Sequence, residues 1–113
     1  MDRVNQAQVY FNGRLCGRLA RSASGYMFQY AAEYLKSADA VPLSGSLPLR
    51  RTRFESAVFL GFFSGLVAEG WLLRQQSRHE KIDERDLLTL LARNGEDLAG
   101  AVTLRLADAQ EAI

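Results

Sequence analysis

The chain has 113 residues, of which 48% are hydrophobic and 24% charged, with a net charge of +1 and one cysteine. That length and make-up suit a single domain, residues 1–113, whose core needs neither disulfides nor metal, and they exclude wholesale disorder. No apolar run approaches the roughly 18 residues needed to span a bilayer, and no basic-then-apolar leader is recognisable, so the sequence reads as soluble and, in a bacterium, cytoplasmic.

The small net charge hides an asymmetry. Residues 1–53 hold eight Lys/Arg against three Asp/Glu, and residues 54–113 hold six against ten. Arg50, Arg51 and Arg53 crowd the end of the basic part. Such a run is ordinarily a solvated flank. The sharper alternative is a contact with an acidic partner or a phosphate. No strongly basic helix is present to bind DNA directly. The lone Cys16 fits a reducing compartment and, in a strand-like run, a buried structural thiol.

In chain order, Ala7–Phe11 reads as a strand. Asn12-Gly13 then supplies the positive φ of a type I′ hairpin turn. Leu15–Leu19 alternates with Arg14 and Arg18 as the return strand. A turn at Ser22–Gly25 leads to the aromatic-rich strand Tyr26–Tyr30, which completes an antiparallel meander. Ala31–Leu35 is a helix of one or two turns. Pro42 and Pro48 bracket Val41–Leu49, which reads as extended edge or loop structure with its leucines turned inward; Ser44 and Ser46 read as turn and strand residues there.

The spacing of Phe54, Val58, Leu60/Gly61, Phe62 and Leu66 predicts a helix over 54–66, with Gly65 and Gly70 punctuating its far end. Trp71–Arg78 reads as a second, shorter helix. Asp83 is the expected N-cap of a third, whose apolar face is Leu87, Leu88, Leu90 and Leu91 and which ends at Arg93-Asn94 before Gly95. Ala101–Leu106 alternates as a last strand, and 107–113 is expected to fray. The fold class is therefore α+β: a small antiparallel sheet, the meander joined by the last strand, packed by about three helices.

Little of this carries chemistry. Gly65 and Gly70 have the spacing of a phosphate loop, but Trp71 and Leu72 stand where lysine and serine or threonine belong. His79 is the only histidine and Cys16 is far from it, so no metal set forms. Glu80, Asp83, Glu84 and Asp86 lie in a solvated helix start with no pocket for acid–base work. The chain is thus expected not to be an enzyme and to need no cofactor or metal. Trp71 is different. At a glycine-flanked junction it is either core or a binding anchor, and tryptophan is enriched among the residues that dominate interfaces.

Three segments carry a resemblance. Tyr30-Ala31-Ala32-Glu33-Tyr34-Leu35 followed by Pro42-Leu43-Ser44-Gly45-Ser46-Leu47-Pro48-Leu49 resembles the Y-x-x-E-W/Y-L … P-L-S-x-S-L-P-L run of the N-terminal subdomain of HipA-type Ser/Thr kinases. Phe62–Gly70 is similar to that family's F-F-x-N/G-L-L-P-E/D-G/S loop, and Leu90–Val102 to its L-L-x-x-x-G-x-D-x-x-G-A-V segment. Ala68 stands where the family often has proline, an exchange expected to loosen the loop, and Asn94 where it often has isoleucine.

The family's nucleotide-binding and catalytic segments have no counterpart in the chain. A copy of this subdomain by itself resembles the HipS antitoxins of tripartite HipBST toxin–antitoxin systems. The resemblance implies two partners: a HipT-like Ser/Thr kinase that the chain neutralises, and a HipB-like helix-turn-helix DNA-binding protein in a ternary complex. The expected contact with the kinase is a loop, Val67, Ala68, Glu69, Gly70 and Trp71, with Arg74 beside it, reaching towards the active-site cleft. Two other readings stay open: a bridging subunit that does not inhibit, and an N-terminal piece of a full-length HipA-like kinase.

Overall fold

The computed structural model describes residues 4–69, 86–93 and 101–106. Within them the elements run β1 (Gln6–Phe11), β2 (Arg14–Ser22), β3 (Gly25–Tyr30), α1 (Ala32–Lys36), β4 (Phe54–Ser56), α2 (Gly61–Glu69), α3 (Leu87–Arg93) and β5 (Val102–Leu106). The strands form one five-stranded sheet in the order β4-β3-β2-β1-β5, with every neighbouring pair antiparallel. This is the expected α+β domain, with the last strand joining the meander at β1.

Local chemistry fixes the two hairpins. Asn12 and Gly13 take φ of 50° and 81°, the left-handed pair that a two-residue turn of matching twist requires. At the second turn Gly25 has φ 144°, and a Cβ there would lie 2.3 Å from the carbonyl oxygen of Ser56. Glycine thus lets β4 close against the turn. Between the turns β2 carries a bulge: Val9 pairs with Gly17 and Tyr10 with Leu15, leaving Cys16 as the extra residue.

Strand alternation divides the sheet into two unlike faces. Ala7, Val9, Leu19, Phe28 and Leu104 are fully buried. They join Tyr34 of α1, Phe63 of α2, and Leu88 and Leu91 of α3 in one apolar cluster. Each of the larger side chains contributes on the order of 2 kcal/mol by leaving water. Phe28 sits at the centre, with ring centroids of Tyr30, Phe63 and Phe54 at 4.9, 5.5 and 6.3 Å. The opposite face carries Gln6, Gln8, Arg18, Gln29, Glu55 and Arg105. The register sets Arg105, Gln8, Arg18 and Gln29 side by side across four strands.

Three expectations need correction. The predicted helix over 54–66 is two elements. Phe54–Ser56 is a strand in which Phe54 pairs with Phe28, and helix begins only at Gly61. An aromatic residue next to an open sheet edge gains more from pairing than from helix. Val58, counted towards the helical stripe, is 71% exposed. Residues 41–49 take the loop alternative, with Leu47 buried and Leu43 packed on the core as expected, but Leu49, expected inward, is exposed. Finally, the residue capping α3 is Asp86, whose Oδ1 accepts from Thr89 N at 3.2 Å. Asp83, Trp71–Arg78 and the tail 107–113 lie outside the described residues.

Candidate functional site

The segment expected to meet a partner is positioned by α2. Phe63 anchors it, fully buried against Phe28. Phe59 enters edge-on to Tyr26 at 5.2 Å, and Phe62 meets Phe63 edge-on at 5.1 Å. Offset and edge-to-face arrangements of this kind hold rings more firmly than area alone does. The helix starts where Ser64 N donates to Leu60 O at 2.9 Å, and its inner side is fixed by this aromatic ladder.

The outer side is bare. Gly61 and Gly65, one turn apart, are exposed, and a Cβ at either would meet nothing within 4 Å. Helical spacing puts Ala68 in line with them. Val58, just ahead of the helix, adds an exposed apolar side chain. A stripe without side chains lets another backbone come close.

Of the predicted contact residues, Val67, Ala68 and Glu69 form the last turn of α2. They are therefore helical, not the start of a loop between two glycines. Gly65 does not break the helix: its backbone stays outside the left-handed region, and Leu66 just beyond it still packs against the core. Gly70, Trp71 and Arg74 lie outside the described residues.

The proline-bracketed segment is held by two tyrosines. Tyr30 Oη donates to Leu47 O and accepts from Leu43 N at 3.0 Å. Tyr34 Oη donates to Val41 O at 2.7 Å and accepts from Val41 N at 3.1 Å. The two rings stack 6.0 Å apart, 9° from parallel. Burial pushes the Tyr30 hydroxyl above its usual pKa, against the hydrogen bond from Leu43. Inside the loop, Ser44 and Ser46 hydroxyls lie 2.8 Å apart and Leu47 N donates to Ser44 O at 3.0 Å. Both serines lie in bend and turn, and the strand character expected there is absent.

The arginine cluster splits. Arg50 folds back on its own loop, donating to Thr52 O and Arg53 O at 3.2 and 3.3 Å, with its guanidinium 3.7 Å from the Phe54 ring centroid. Arg53 faces Glu55 at 3.7 Å across exposed surface. Arg51 is exposed, and its carbonyl accepts from Gln29.

Sequence reasoning missed a polar knot that ties β2 to α3. Asp86 accepts from Arg21 Nη2 and from Thr89 Oγ1 at 2.9 Å. Thr89 Oγ1 also accepts from Val4 N at 3.0 Å, and Arg21 Nε donates to Val4 O at 3.0 Å. Burial raises the Asp86 carboxyl, but the bonds from Arg21 and Thr89 together hold it below its usual pKa. Asp86 three residues before Thr89 was the available signal, yet Asp86 was read as part of a solvated helix start and Thr89 was given no role. Among the described residues no group of His, Cys, Asp and Glu could hold a metal, and no helix is long and apolar enough to cross a membrane.

Residues 7–105 match the HipA N-terminal domain family model. An uncharacterised protein of Haemophilus influenzae is 35% identical over 104 residues, which cover 92% of this chain and 94% of that protein. The candidate kinase Y4mE of Sinorhizobium fredii is 32% identical over 111 residues; these are 97% of this chain but only 26% of that relative. Among solved structures, the N-terminal domain of HipA toxin matches with a TM-score of 0.71 at 31% identity, covering 97% of this chain and 99% of that one.

Proposed function

This chain belongs to the HipA N-terminal domain family, and from that membership we propose that it is an antitoxin: a binding protein that neutralises a HipT-like Ser/Thr kinase and has no catalysis of its own. One observation carries the reading. The same domain makes up nearly all of one relative and about a quarter of a much longer candidate kinase. A domain built to sit on a kinase within one chain keeps the complementary surface when it is encoded apart, and can dock without the covalent link.

The docking element is the end of α2. Val67, Ala68 and Glu69 lead into Gly70, Trp71 and Arg74, with Trp71 as apolar anchor and Glu69 and Arg74 as polar neighbours. The bare stripe of Gly61 and Gly65 supports this choice, since it allows close approach along the helix that delivers those residues. A HipB-like helix-turn-helix protein completes a ternary complex and supplies the DNA contact.

The test is a kinase assay on the reconstituted complex. Wild-type chain should bind a HipT-like kinase and stop its autophosphorylation. Trp71→Ala should weaken inhibition by tenfold or more, about the loss expected of an interface anchor, with its thermal unfolding unchanged. Inhibition undiminished in that variant would remove Trp71 as anchor. Tight binding with autophosphorylation intact would identify a bridging subunit. The match to the longer kinase also favours a second reading, a segment of a HipA-like kinase; an immunoblot of the native host showing a band much larger than 12.6 kDa would establish it.

A further inference from the structure

We infer that the sheet face turned away from the helices carries a phosphoryl-binding site centred on Arg18. This inference does not rest on the kinase reading. A cleft of about 760 Å³ reaches over that face, lined among others by Arg18, Arg53, Met27 and Glu55, and also by Arg21 and by Arg93 of α3. Its floor is Ala20 and Met27, both buried, so charge there is less well screened than on open surface.

Arg18 is the group without an occupation. Its Nε is buried and has no hydrogen-bond partner, and its Nη1 reaches Gln6 Oε1 only at 3.5 Å. A buried donor left unpaired is costly, and native structures ordinarily satisfy such a group with a ligand, ion or water. The Nε–Nη edge is also the edge with which arginine grips an oxyanion through two parallel bonds. Turning it towards the cleft gains those bonds and gives up only the long one to Gln6.

A second arginine is in reach. Arg18 pairs in register with Gln29, and Phe28 with Phe54. Arg53 therefore continues the Arg18–Gln29 row one strand further. Two strands apart is about 10 Å between backbones, a gap that two arginines close around one anion. Arg53 is held only by its exposed pairing with Glu55, which costs little to exchange. Glu55 is the one acidic residue among the described residues lining the cleft. A tetrahedral phosphoryl group, with three free oxygens, accepts from both guanidinium forks at once, one oxygen more than a carboxylate brings to them.

Titration with inorganic phosphate at constant ionic strength, read on the arginine Nε–H signals by NMR, tests this. A saturable shift at Arg18 is expected. Arg18→Gln should weaken binding about tenfold or more, the value of a charge-assisted bond, and Glu55→Gln should tighten it. Should Arg18→Gln not fold, Arg18→Lys keeps the charge without the fork and should also bind more weakly. Phenyl phosphate separates the sources: tighter binding than phosphate marks a phosphorylated side chain as ligand, and equal binding marks free phosphate. A shift that chloride reproduces, or an Arg18→Gln protein that binds phosphate equally well, would overturn the inference.

Discussion

At the scale of single residues, the domain relies on a few side chains that satisfy backbone groups far away in sequence. The Tyr30 hydroxyl serves both Leu43 N and Leu47 O, so it holds the proline-bracketed loop by two ends. Tyr30→Phe keeps the ring and removes both bonds, leaving buried backbone groups unpaired. Denaturant unfolding should show a loss of about 1–3 kcal/mol, and proteolysis should then cut first within 41–49. Asp86 plays the equivalent part for α3. Its pKa is lowered in the folded state, so its ionised form contributes stability above the unfolded-state value near 4, and that contribution fades as pH falls through the lower folded value. Asp86→Asn still caps the helix but loses the charge on Arg21. It should be less stable than wild type at pH 7, with the gap closing towards pH 3; a gap that persists at low pH would show that the charge is not the cause. Cys16 is fully buried and its thiol is pushed up to about 12, chiefly by burial. It should resist thiol reagents at pH 8 in the folded protein and react at once in denaturant.

Secondary elements show what the sequence could and could not reveal. The three N-terminal strands were legible because their signals are local: Asn12-Gly13 dictates its turn, and the alternation of Leu15–Leu19 lies within one strand. β4 was not. Phe54 and Val58 happen to fall at helical spacing, and only the sheet edge at Phe28, supplied by residues far back in the chain, makes Phe54 a strand residue. The role of Gly65 was misread for a related reason. A glycine in a helix interior looks like a terminator, whereas here Leu66 just beyond it packs against the core and the helix continues to Glu69. Nothing stands within 4 Å of a Cβ at Gly65, and its backbone is outside the left-handed region. Gly65→Ala should therefore stabilise the free domain by about 0.5–1 kcal/mol. If α2 meets its partner along the bare stripe, the same methyl should weaken the complex. Binding and stability would move in opposite directions, which a merely structural glycine would not produce.

For the molecule as a whole, the closing of the sheet by β5 was foreseeable, since Ala101–Leu106 alternates and the meander leaves β1 with an open edge. The division of labour between the faces was not, because register decides it. One face collects Val9, Leu19, Phe28 and Leu104 beneath the helices, and the other lines up Arg105, Gln8, Arg18 and Gln29. The asymmetry suits a domain that offers two distinct surfaces, α2 on one side and a basic sheet face on the other. The motif Phe62–Gly70 was readable in sequence, but Phe62–Glu69 proved to be helix, so the proposed contact starts on a helix.

The most direct measurement is autophosphorylation of a HipT-like kinase, the proposed partner, with and without an equimolar amount of this chain. A tight complex in which phosphorylation stops is expected, with phosphorylation restored by Trp71→Ala. Undiminished phosphorylation in a mixture with no complex formed would contradict it, and would leave family membership as a statement about fold.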